Sequence, residues 1–376
     1  MEFKLIIKKL NNTLSEGEEI IFTKWYEEST AHKDYFNSVK KNYQNDIDHI
    51  NIEKGWLKLQ SKLKARNRKT RFYKYVAVAS IILLIAISFV FNKKDPTKVT
   101  ESEIVNGNMI ETGTDKATLT LEDGSTVALE KGNNYEMQNA SSNGEELVYE
   151  AENSQSKKIV YNYLTIPRGG QFFIKLSDGT QVWLNSESKL KYPVSFKAGE
   201  TRLVELIYGE AYFDVSPSTE HKGSKFKVLN KYQEIEVMGT EFNIKAYKND
   251  ANIYTTLVEG KVSVSVANTN QILKPSQQAN LNLNSSVLNV STVNIYNEIS
   301  WKDGVFSFRR KSLEDIMKVL SRWYDMDVDF VDPELKRAGF NGVLGKDQNI
   351  EDILKAIKNF KVVNDYEIIG KTVYLK

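Results

Sequence analysis

Leu121-Glu-Asp-Gly-Ser-Thr-Val-Ala-Leu129 and Leu176-Ser-Asp-Gly-Thr-Gln-Val-Trp-Leu184 follow one pattern, Leu-x-Asp-Gly-Ser/Thr-x-Val-x-Leu, about 55 residues apart. Apolar and polar residues alternate on both sides of the Asp-Gly pair, the favoured dipeptide of a tight hairpin turn. Asp123 and Asp178 therefore read as turn residues whose side chains bond the local backbone, with the following glycine supplying a positive φ. Repetition of the unit predicts a β layer. The same alternation continues downstream over 202–207, 210–215, 225–229, 234–238, 242–247, 253–258 and 261–266, with turns at Gly209, Gly239 and Gly260. The expectation is an all-β domain, sandwich or solenoid, over residues 111–299.

After residue 300 the period changes. A strand over 304–308 leads into Ser312-Leu-Glu-Asp-Ile-Met-Lys-Val-Leu320, an N-capped amphipathic helix continuing to about Tyr324. Strands over 327–331 and 340–344 are followed by a second capped helix, Asn349-Ile-Glu-Asp-Ile-Leu-Lys-Ala-Ile357. A hairpin of 366–369 with 372–375 closes around Gly370 and Lys371. The two helices match almost position by position, which predicts a βαβ-βαβ duplication with both helices on one face of a small sheet, an α+β domain over 300–376. Its open sheet edge suits a protein partner better than a small substrate.

Upstream, Val76-Ala-Val-Ala-Ser-Ile-Ile-Leu-Leu-Ile-Ala-Ile-Ser-Phe-Val-Phe91 carries no charge, proline or glycine. With Phe72, Tyr73 and Tyr75 the run reaches about 20 residues, or about 30 Å as a helix, the thickness of a bilayer core. Residues 72–92 are thus expected to form one transmembrane helix. Eight Lys and Arg residues between Lys58 and Lys74 precede the apolar run, with no acid between Lys54 and Lys94. The positive-inside rule then places residues 1–71 in the cytoplasm and the remainder outside, after a polar linker over 93–110. The run begins too late for a cleaved secretory signal.

Residues 1–71 read as a small all-α head. Ser15-Glu-Gly-Glu18 fits a capping box and predicts a helix to about Ser29; Ile21 and Trp25 share a face, as do Phe36, Val39 and Tyr43, and then Ile52, Trp56, Leu59 and Leu63.

The whole 376-residue chain has 51 basic and 49 acidic residues, a net charge of +2, which excludes a nucleic-acid polycation. With no cysteine and three scattered histidines, disulfides, Cys-based metal sites and thiol nucleophiles are excluded, and no cofactor is expected. Acids are plentiful but none sits in a catalytic context, and His221 reads as a loop residue, so no enzyme is expected.

Several stretches resemble the FecR-type anti-sigma factors in their Bacteroidetes form. They are Leu176 to Leu190, Gly209-Glu-Ala-Tyr-Phe-Asp-Val215, Val237-Met-Gly-Thr-Glu-Phe-Asn-Ile244, Leu257-Val-Glu-Gly-Lys-Val262, Phe306-Ser-Phe308, Leu320-Ser-Arg-Trp-Tyr324 and Phe340-Asn-Gly342. Leu14-Ser-Glu-Gly-Glu18, Trp25 and Phe36 resemble the head of those proteins. The resemblance implies a cell-surface signalling relay in the inner membrane. The head would bind an extracytoplasmic-function sigma factor through Ile21, Trp25, Phe36, Val39, Trp56 and Leu59. The periplasmic part would receive the signalling domain of a TonB-dependent outer-membrane receptor through Phe306, Phe308, Trp323, Tyr324 and Phe340 of the C-terminal domain, which resembles the short secretin and TonB receptor domain. Periplasmic or intramembrane proteases are further implied partners in many relatives. A membrane-anchored periplasmic binding or adaptor protein, with no sigma partner, is the alternative.

Overall fold

The computed structural model describes residues 110–137, 139–150 and 159–376, and in the head residues 6, 9–10, 14, 16–28, 32–33, 36–37 and 40. The chain divides into two units, 1–105 and 106–376.

In the first unit, α1 (Glu16–Glu28) follows the capping-box reading to within a residue. Phe22 and Trp25 from α1 bury themselves with Ile6, and Leu10, Leu14, Tyr26 and Phe36 pack around them. His32 stacks on Trp25 with ring centres 4.7 Å apart. Residues 41–109, and with them Trp56, Leu59 and the apolar run, lie outside the described residues, as does Val39. No helix among the described residues is long and apolar enough to cross a membrane.

The second unit opens with a two-layered β domain through which the chain steps back and forth. Hairpin β1 (Thr114–Thr120) and β2 (Thr126–Glu130) starts the first layer. The second begins with β3 (Tyr135–Met137), β4 (Ala140–Ser142) and β5 (Glu146–Tyr149). The chain returns to the first layer as β6 (Tyr161–Ile166), crosses with hairpin β7 (Gly170–Lys175) and β8 (Gln181–Leu184), and returns as β9 (Ser188–Pro193). β10 (Arg202–Asp214) belongs to both layers: Glu205, Leu206 and Tyr208 pair with β9, whereas Ala211 to Asp214 pair with β8. Alternation continues through β11 (Phe226–Asn230) and β12 (Gln233–Val237), then β13 (Glu241–Ala246) and β14 (Asn252–Glu259), then β15 (Val262–Val266) and β16 (Thr269–Leu273), and finally β17 (Gln277–Asn282) and β18 (Val287–Thr292). It is a sandwich assembled by solenoid-like progression, so both architectures named from the sequence contribute.

Period-two burial explains the pairing. Leu164 and Ile166 of β6, Phe172 and Ile174 of β7, and Leu190 and Tyr192 of β9 all point into one core between the layers. Both Asp-Gly turns have the expected geometry, with φ of 83° at Gly124 and at Gly179. The structure corrects the split of 202–215 into two strands. Gly209 sits inside one continuous strand at φ 103°, where a Cβ would lie 2.4 Å from Ser188 Cα, so glycine there marks close backbone approach and not a chain reversal.

The C-terminal domain consists of α2 (Ile295–Ile299), β19 (Val305–Ser312), α3 (Leu313–Tyr324), β20 (Asp327–Phe330), β21 (Gly339–Gly345), α4 (Ile350–Asn359), β22 (Tyr366–Ile369) and β23 (Thr372–Leu375). Both predicted caps are present: Ser312 Oγ accepts from Asp315 N at 3.1 Å and Asn349 Oδ1 from Glu351 N at 2.8 Å. The expected single sheet is instead two. β19 pairs antiparallel with β21, and β23 pairs parallel with β20 and antiparallel with β22. Periodicity locates strands, but it carries no information about which distant strand each one meets. Ile316, Leu320, Ile353, Leu354 and Ile357 of the two helices share one core with Val373 and Leu375 of β23. Ile110, Ile299 and Trp301 join that core, as does Tyr212 from β10 of the sandwich.

Candidate functional site

Where the C-terminal domain meets the sandwich, the charged side chains of Arg322 and Lys346 are buried. Ser321, Arg322, Trp323, Asp325, Met326, Asp327 and Lys346 meet Gly113, Arg168, Gly169, Gln171, Glu187, Tyr247, Asn249 and Asp250 of the sandwich.

Arg322, on the last turn of α3, holds its guanidinium carbon over the Tyr247 ring, 3.6 Å from the ring centre. Its Nε donates to Glu187 at 3.2 Å and its Nη2 to Asn249 at 2.7 Å and Asp250 at 3.1 Å. Planarity and five fixed donors make arginine suited to stacking and multidentate pairing at once. From the sandwich, Arg168 reaches back. Its Nη2 donates to the Ser321 carbonyl at 3.0 Å and also to that of Met326, while Asp325 and Asp327 stand 3.5 and 3.4 Å away. Gly169 N donates to the Arg322 carbonyl at 2.7 Å.

Lys346 is the third seam cation and only 4% exposed. Its Nζ lies 3.7 Å from the centre of the Trp323 ring, with Phe306 and Trp301 at 5.4 and 5.9 Å. It donates to Gln171 Oε1 at 2.5 Å and to the Trp301 carbonyl at 3.4 Å, and among the described residues it forms no ion pair. Gln171 in turn donates to Asp115 at 2.8 Å. Burial pushes the Lys346 ammonium down to about 7, against a partial upward pull from Asp115 and Glu210. Trp323 closes the arrangement by donating its Nε1 to the Lys346 carbonyl at 2.8 Å. Its ring lies against Gly113, where a Cβ would approach within 2.6 Å.

These contacts show where the residues assigned to receptor docking lie. Phe306, Phe308, Trp323 and Tyr324 are all buried, and the surface that covers Trp323 is the chain's own sandwich. Of the five, only Phe340 stays half-exposed, with its ring 6.3 Å from that of Phe360, itself 71% exposed. Among the residues assigned to sigma binding, Trp25 is buried in the head's own cluster and Phe36 packs on it. Ile21 lies on α1, and Val39, Trp56 and Leu59 fall outside the described residues. Aromatic residues at helical spacing serve a core as readily as a partner, and nothing in the local sequence separates the two.

A second buried pair was also hidden by its motif. Asp123 is an exposed turn residue that accepts from Ser125 N and Oγ, and these two bonds hold its carboxyl below the usual range. Asp178, at the equivalent place in the repeat, accepts from Thr180 in the same way but is also locked at 2.8 Å to Arg202 Nη1, both side chains being 2% exposed. His221 is half-buried, and its Nε2 stands 2.8 Å from Ser216 Oγ. Among the described residues no carboxylate is seen on its Nδ1, the place of the third group in a hydrolytic relay. Among the described residues no cluster of three metal-ligating side chains occurs.

The FecR protein family matches residues 162–263, and the family of FecR C-terminal domains matches 305–375. Both matches identify the chain as FecR-type over those two segments. Two crystal structures of a candidate anti-sigma factor from Parabacteroides distasonis ATCC 8503, at 1.65 and 2.50 Å resolution, are similar to this chain. Identity is 25% for both, with TM-scores of 0.52 and 0.51, covering 57% of this chain and 98% of the other. No curated protein matches. The seam described above joins the two matched segments, and the matched family is regulatory, not catalytic.

Proposed function

We propose that this FecR-type chain is a single-pass inner-membrane sigma regulator. Residues 1–71 hold an extracytoplasmic-function sigma factor in the cytoplasm, 72–92 cross the membrane, and the second unit receives a periplasmic signal from a TonB-dependent outer-membrane receptor. What carries the reading is the occurrence of both FecR segments, in order, in a chain of which 57% matches the crystallised chain of a candidate anti-sigma factor. The uncharged run after a basic flank supports the topology.

A lone transmembrane helix offers few contacts with two discrete arrangements, so transmission by cleavage, oligomerisation or unmasking fits better than a push along its axis. The seam bears on what the receptor can touch. With Trp323 and Tyr324 committed internally, the receptor is left with Phe340, Phe360 and the exposed Val343.

Deleting residues 1–71 separates this reading from that of an anchored adaptor. Transcription of the sigma-dependent genes should lose its regulation while the exported unit remains in the envelope. If no transcript changes and an envelope activity persists, the adaptor reading holds. Trp25→Ala is the poorer test, because a residue in the head's own core acts first on folding.

A further inference from the structure

Beside Arg322 the seam opens into a cleft of about 200 Å³. Four cations line it, Lys245 from β13, Lys311 from β19, and Lys318 and Arg322 from α3, against two acids, Asp250 and Asp315. Both acids are engaged: Asp250 accepts from Arg322 at 3.1 Å, and Asp315 accepts from Ser312 Oγ at 2.7 Å within the helix cap. Lys245 and Lys318 are half-buried, and among the described residues neither side-chain ammonium donates a hydrogen bond or joins an ion pair. They stand on opposite sides of the seam, one on the sandwich and one on the C-terminal domain. An ammonium group that has lost part of its hydration without gaining an acceptor carries a cost that an arriving anion removes.

Size and charge select the anion. Cofactor-sized ligands occupy pockets of roughly 300–1,000 Å³, so this cleft fits a side chain and not a nucleotide. Four cations against two acids leave the lining net positive, so it attracts an anion, and a carboxylate supplies the acceptors that the two ammonium groups lack.

We propose that this cleft is a carboxylate-binding site for an acidic peptide segment, with Lys245 and Lys318 as its paired anchors, so that the bound segment bridges the sandwich and the C-terminal domain. The inference stands on the seam geometry and is independent of what the head binds.

The test uses the full chain in detergent micelles, with end-blocked hexaglutamate, glutarate, inorganic phosphate and sodium chloride of matched ionic strength as probes. Hexaglutamate should raise the thermal midpoint of the second unit saturably, and glutarate should do so at higher concentration, because a ligand that bridges two packed parts stabilises both. Lys245→Gln and Lys318→Gln should each weaken hexaglutamate binding at least tenfold, Lys311→Gln at the exposed rim should weaken it less, and the charge-retaining Lys318→Arg should restore it. Three results overturn the proposal: an equal response of the wild type and the Lys245→Gln/Lys318→Gln double variant, no saturable response, or tighter binding of phosphate than of either carboxylate.

Discussion

Arg322→Ala should destabilise the second unit by about 3 kcal/mol, read as a fall of roughly 5–10 °C in its thermal midpoint. Removing one partner from a buried ion pair costs about 3–5 kcal/mol, because the remaining charge is left without compensation. Here the acids are only partly enclosed, with Glu187 36% and Asp250 16% exposed, so the electrostatic part is discounted to about 2 kcal/mol. Loss of the guanidinium from the Tyr247 face adds about 1 kcal/mol. Lys355→Ala is the matched control. That lysine pairs with Glu351 on the exposed face of α4, and its removal should leave the midpoint essentially unchanged. Tryptophan fluorescence follows the transition, because Trp183, Trp301 and Trp323 all belong to the second unit. Equal midpoints for Arg322→Ala and Lys355→Ala would mean that the seam contributes nothing to stability.

Lys346→Met should act in the opposite direction and raise the midpoint. A shift from 10.5 to about 7 corresponds to on the order of 4 kcal/mol against the folded state at neutral pH. Methionine fills the same volume without a charge, but it leaves Gln171 Oε1 and the Trp301 carbonyl without their donor, which costs about 1–3 kcal/mol. The expected balance is a gain of about 1–3 kcal/mol. The pH dependence carries a sign of its own. Below about 7 both native and unfolded Lys346 are protonated and the burial penalty is fully present. Between about 7 and 10.5 the unfolded chain holds the proton that the native site has released, so stability rises with pH. The slope should reach about 1.4 kcal/mol per pH unit and is best read between pH 7 and 9.5, below the range where the buried tyrosines titrate. In Lys346→Met that rise should be absent. A variant less stable than wild type that keeps the same slope would show that another group, and not Lys346, controls this seam.

Short-range chemistry was legible in the sequence. The Asp-Gly hairpins, the Ser312 and Asn349 caps, α1 and the closing hairpin of 366–369 with 372–375 all depend on residues within a few positions of one another. Features that depend on distant partners were not. Arg322 meets Glu187, Lys346 meets Gln171 and Arg202 meets Asp178 across long stretches of chain, and a charge looks the same in sequence whether water or a remote carboxylate surrounds it. Gly209 read as a turn because a glycine required by close packing is spelled like one required by chain reversal. Trp323 and Tyr324 read as partner-facing because the amphipathic stripe of α3 reports that something covers it, not whether the cover belongs to the same chain.

In the function proposed above, one chain joins a sigma-binding head to a two-part exported unit. The most direct test of that function is affinity purification of the full-length chain from membranes, followed by mass spectrometry of the co-purifying proteins. The predicted result is a sigma factor in near-equal amount, lost when residues 1–71 are deleted. A full-length preparation whose second unit unfolds with its normal transition, yet which brings no sigma factor with it, would contradict the claim.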